Sequence, residues 1–126
     1  MTSVSMALAG LGFPIYGYPA NPALLNAWLI YMKGYECLDG DCNNLVLAAP
    51  TWLDTGLELV GEIPTPPAAS IRAGLSSGEF IYVAHVRNRS HFVLLTGFDA
   101  QTPSGFIVND PYNYSRLAGA WGGAAL

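Results

Sequence analysis

Beyond residue 80 the chain changes character, and that change limits its fold more than any other feature. Residues 80–86, 91–98 and 106–108 are runs rich in aromatic and β-branched side chains, the composition that fits a pleated, packed surface. Asn88-Arg89-Ser90 and residues 99–105 supply turn residues between them. Connections this short join antiparallel neighbours, so the second half predicts a three-stranded meander. The first two runs are almost continuously apolar, which predicts a sheet centre covered on both faces.

The first half carries helical punctuation instead. Residues 2–11 form a short apolar stretch that Thr2 or Ser3 would cap and Gly10 and Gly12 would end. Residues 13–19, with their Pro, Gly and aromatic side chains, read as a connector. Asn21-Pro22 pairs an N-cap residue with proline at the first helical position. Leu24, Leu25, Trp28, Leu29 and Met32 then share one face, and Gly34 stops the helix. A third helix is expected over residues 44–53 and a short strand over 57–60. Thr65-Pro66-Pro67 repeats the cap-then-proline signal, and Ala68, Ile71 and Leu75 make a narrow apolar stripe that Gly74 weakens and Gly78 ends. Helices followed by a meander define an α+β chain, here a single domain over residues 1–126 with an apolar C-terminal tail over residues 112–126.

Composition excludes several roles. Charged side chains make up 11% of the 126 residues, against 52% hydrophobic. So few charges predict an apolar surface, a large shared interface, or both, and hence a homo- or hetero-oligomer. The five Lys and Arg are scattered and the net charge is −4, which argues against nucleic acid as a partner, because phosphates demand clustered cations. No apolar run reaches the length of a membrane span. No cation precedes Lys33, so the positive start of a signal peptide is missing and the compartment stays open. Cys37 and Cys42 could close a small loop disulfide or remain two thiols; a metal site lacks its four ligands, and no cofactor is implied. The tail has a single charged side chain, Arg116, beside Tyr112, Tyr114 and Trp121. It reads as a loop covering the core or as an arm that docks on a neighbouring subunit.

His91 opens the second run of the meander and Asp110 closes the third. With a loop centred near Gln101, residues whose numbers sum to about 201 face each other, and His91 with Asp110 satisfies that sum. The expected result is an imidazole beside a carboxylate, the pairing a general base needs, or a bond that merely ties two strand ends. His85, among apolar neighbours, reads as a core or sheet-face histidine.

The run Ser90-His91-Phe92-Val93-Leu94-Leu95-Thr96-Gly97-Phe98-Asp99, followed by Gly105-Phe106-Ile107-Val108-Asn109-Asp110-Pro111, resembles the double-glycine-leader (bacteriocin-processing-type) peptidase-like family, a branch of the papain-like cysteine peptidases. Thr2-Ser3-Val4-Ser5-Met6-Ala7-Leu8 is similar to the family's first signature after its cysteine, and residues 21–34 to its second helix. The resemblance extends to about Tyr112. It implies a papain-like fold, with N-terminal helices packed on a C-terminal antiparallel sheet, and catalytic roles for His91 as base and Asp110 as orienter. In that register the nucleophilic cysteine falls two residues before Met1, and the glutamine that precedes it is also absent. Cys37 and Cys42 follow the second helix and lack the helix N-terminus that lowers a thiol pKa. Ser3 and Ser5 lie past the point of attack, and Thr2 would act only if Met1 were removed.

The expectation is therefore a peptidase-type domain without its nucleophile. It would serve as a structural or peptide- or protein-binding module, for example in a larger assembly such as a viral particle. The alternatives are an active cysteine peptidase or peptidoglycan amidase whose cysteine lies upstream, and hydrolysis by another nucleophile with His91 as base.

Overall fold

A computed structural model describes residues 1–86, 91–101 and 105–111. The expected C-terminal tail and the Asn88-Arg89-Ser90 turn lie outside the described residues. The chain forms two compact units, one from Met1 to Glu62 and one from Ile63 onward. Helices and small antiparallel sheets make it α+β.

The first unit begins with α1 (Thr2–Leu11), which ends where Gly12 takes a left-handed φ of 79°. Met1 occupies the cap position, and neither Thr2 nor Ser3 caps the helix through its side chain. The expected connector is a small hairpin, β1 (Pro14–Ile15) and β2 (Tyr18–Pro19), turning through Tyr16 and Gly17 with φ of 52° and 82°. Helix α2 (Pro22–Tyr31) starts as read: the Asn21 side chain accepts from the Leu24 amide at 3.0 Å, with proline at the first turn. Leu25, Trp28 and Leu29 turn inward and join Leu8, Ile15, Ala20 and Ala49 in one cluster. The chain then passes so close to α2 that a β-carbon on Gly34 would lie 2.6 Å from Leu29 Cδ2 and force that side chain to shift.

Residues 44–53, expected to be one helix, are divided. β3 (Tyr35–Leu38) and β4 (Asp41–Leu45) form a hairpin, and only Ala49–Leu53 winds, as a 3₁₀ turn. The reason is Asp39-Gly40, whose φ of 50° and 86° meets the two-positive-φ demand of a tight hairpin turn. That signal captures the residues after it into a strand. Residues 57–60, expected as a strand, carry no regular structure.

The second unit packs α3 (Ala68–Ser77) on a three-stranded sheet of β5 (Tyr82–Val86), β6 (His91–Phe98) and β7 (Phe106–Asn109), in the order β5-β6-β7. Ile71 of α3 meets Val93, Leu95 and Phe106 in the core. Gly74 has a packing role: a β-carbon there would overlap the Tyr82 hydroxyl. The continuous apolar runs predicted cover on both faces, but the sheet has one packed face and one more open. Val83, Phe92 and Ile107 remain 37%, 41% and 45% exposed, because they alternate with the side chains directed at α3.

Candidate functional site

The β6–β7 pairing does not follow the expected sum of 201. Leu95 pairs with Val108 and Leu94 with Asn109, then an irregularity shifts the register so that Gly97 pairs with Ile107 and Phe98 with Phe106. The extra residue is Thr96, whose hydroxyl donates to the Ile107 carbonyl at 3.2 Å. Continuing the register past Asn109 sets Asp110 opposite Val93 rather than His91. Strand side chains repeat with period two, so His91, Val93 and Asp110 share a face, and diagonal neighbours on one face stay within reach of long side chains.

The side chains close that diagonal. His91 Nε2 and Asp110 Oδ1 are 2.5 Å apart, and the two side chains are only 10% and 14% exposed. An ionised carboxylate has acceptors only, so beside it Nε2 is the donor. Partial burial strengthens the bond, since less water competes for either partner. The backbone holds the ring from the other side: His91 pairs with Val86 of β5. The pair therefore rests on three strands, and the two residues are 19 apart in sequence.

His85 is exposed on the opposite face and stacks on Phe92, with ring centroids 3.9 Å apart and an angle of 11°; it takes no part in the His91–Asp110 bond. Cys37 and Cys42 are joined in a disulfide, and neither thiol is free. Ser3 and Ser5 are buried in α1, and the Ser5 hydroxyl donates to the Thr2 carbonyl at 2.8 Å. Neither can meet a substrate from that position. Among the described residues no cluster of His, Cys, Asp or Glu could hold a metal ion, and no helix is long and apolar enough to cross a membrane.

Arg72 is a structural anchor that the sequence pattern does not single out. Its guanidinium donates to the Asp99 carbonyl at 2.7 Å and lies 4.7 Å from the Phe98 ring centroid and 5.9 Å from that of Phe106. It fastens the start of the β6–β7 turn to α3, where Asp99 also bonds across the turn to the Gly105 carbonyl at 3.1 Å. The only hint in the sequence is a lone cation on an otherwise uncharged helix. Comparison with family models, curated proteins and solved structures returned no match.

Proposed function

We propose that this chain is a papain-like cysteine-peptidase-type domain that keeps its base and orienter, His91 and Asp110, and works without a nucleophile of its own as a peptide- or protein-binding module. The observation that carries this reading is the 2.5 Å His91–Asp110 hydrogen bond at the sheet rim. It is supported by the locking of both cysteines in a disulfide, which leaves the 126 residues without a thiol to form an acyl-enzyme. In this reading Asp110 fixes the imidazole, and the sheet rim that carries the pair is where a peptide binds.

Panning a peptide library against the chain tests it. The expected result is capture of peptides that weakens at least about tenfold in His91→Ala, without turnover of those peptides. Capture that His91→Ala leaves unchanged would overturn the binding role. Turnover that His91→Ala abolishes would replace it with catalysis.

One observation favours a second, catalytic reading: the Asp110 carboxylate holds the imidazole through Nε2, as the orienter of a working base would. Here a cysteine outside the 126 residues attacks a peptide or cell-wall amide, His91 shuttles the proton and Asp110 orients His91. An in-frame cysteine codon two positions before Met1 is its expected signature, and a stop codon or another residue there would end it.

A further inference from the structure

The other chemistry-bearing element is the β3–β4 hairpin. All residues from Glu36 to Asn43 are exposed, so solvent reaches the Cys37–Cys42 disulfide that bridges them. Carboxylates surround it: Glu36 and Asp41 are the chain neighbours of the two half-cystines, and Asp39 sits in the turn between them. Consecutive Cα atoms are about 3.8 Å apart, so each of the three lies within about 8 Å of backbone of a half-cystine. That is inside the Debye length of about 10 Å at 0.1 M salt. Residues 1–62 carry six carboxylate side chains against the single cation Lys33, a balance of −5.

The base of the hairpin is held independently of the disulfide. The Val46 amide donates to the Gly34 carbonyl at 3.0 Å, and the Tyr35 hydroxyl donates to Asn26 Oδ1 at 2.7 Å. Opening the bridge therefore leaves the strand ends anchored.

We propose that Cys37–Cys42 is a thiol-exchange site selective by charge, accepting small cationic or neutral thiols and resisting anionic ones. A reagent thiolate attacks one Sγ, the S–S bond breaks, and its electron pair leaves on the other cysteine sulfur. A second reagent thiolate then attacks the mixed disulfide, which releases the oxidised reagent and the second protein thiolate, and both thiolates take protons from water. The small thiol is the reductant. Selectivity arises because the attacking anion must approach through the field of three carboxylates, which an ammonium group on the reagent offsets.

The test is the rate of disulfide opening in the native chain with cysteamine and with 3-mercaptopropionate. Each rate is expressed per thiolate and divided by the same reagent's rate on the neutral bis(2-hydroxyethyl) disulfide. The expected preference for cysteamine is about fivefold at low salt, shrinking toward one at 0.5 M salt. It also shrinks in the double variant Asp39→Asn with Asp41→Asn. Asparagine tolerates the φ of 50° at position 39 and keeps the oxygen that accepts from the Asn43 amide at 2.9 Å. A ratio of about one at low salt would overturn the proposal, as would a preference insensitive to both salt and the double variant. Opening that requires denaturant would overturn the exposed site itself.

Discussion

The two compact units are assembled from elements of different kinds. In the first, α1, α2 and two tight hairpins, each closed by its own caps and turns, pack Leu8, Ile15, Leu25, Leu29 and Ala49 into one cluster, with Leu25 and Leu29 fully buried. In the second, a sheet is completed by strands whose partners are set by register, and its most consequential contact joins His91 to Asp110 across 19 positions. Local contacts follow from periodicity and caps. Register depends on where the turn is centred and where one residue bulges: Phe98 pairs with Phe106, three places from the expected sum, the bulge at Thr96 takes one place back, and the partner of Asp110 ends two places from the expected one. A polar pair can still form across that change because a shift of two preserves the face.

That contrast can be broken or sharpened by substitution. The largest effect is expected from Leu29→Ala, which empties a fully buried position and should cost about 3 kcal/mol in urea melts. Val93→Ala, its counterpart in the sheet, removes less buried volume and should cost about 2 kcal/mol. A reversed order would show that the sheet core, and not the helical cluster, dominates stability. Replacing both cysteines, Cys37→Ala with Cys42→Ala, frees a short loop in the unfolded chain and should cost about 2 kcal/mol, seen as a lower melting temperature with the far-ultraviolet circular dichroism retained. Loss of that spectrum would show that the hairpin base needs the bridge.

Asp110→Asn keeps the shape of the carboxylate but removes its charge, and should cost about 1 kcal/mol. In NMR the His91 ring resonances should move in this variant, and the amides of α3 should stay in place. An unmoved His91 would mean that the bond does not form in solution.

The smallest effect is a pH dependence in the first unit. Partial burial raises the Tyr35 hydroxyl above its usual value of 10.0. Its neutral form is therefore favoured in the folded chain. This contribution is constant below about pH 10, where the unfolded phenol is also neutral, and is lost as pH rises through the folded value. Tyr35→Phe should flatten part of the alkaline decline in stability; an unchanged decline would assign it to other groups.

The chain itself, read as residues in order, determined the elements whose causes are local: the Asn21-Pro22 start of α2, the helix ended by Gly12, the glycine stop after α3, and three strands at the expected places in the second half. Each follows from backbone preferences and caps acting within a few residues. It also placed His91 and Asp110 at neighbouring strand ends. Asp39-Gly40 is a hairpin-turn dipeptide, but the strands beside it carry little apolar alternation, so residues 44–53 read as a helix. Only the tertiary structure decided the register of β6 and β7, the open face bearing Val83, Phe92 and Ile107, the closure of Cys37 on Cys42 and the reach of Arg72 to Asp99. These depend on which surfaces meet after the chain has folded back on itself, and no window of neighbouring residues contains that information.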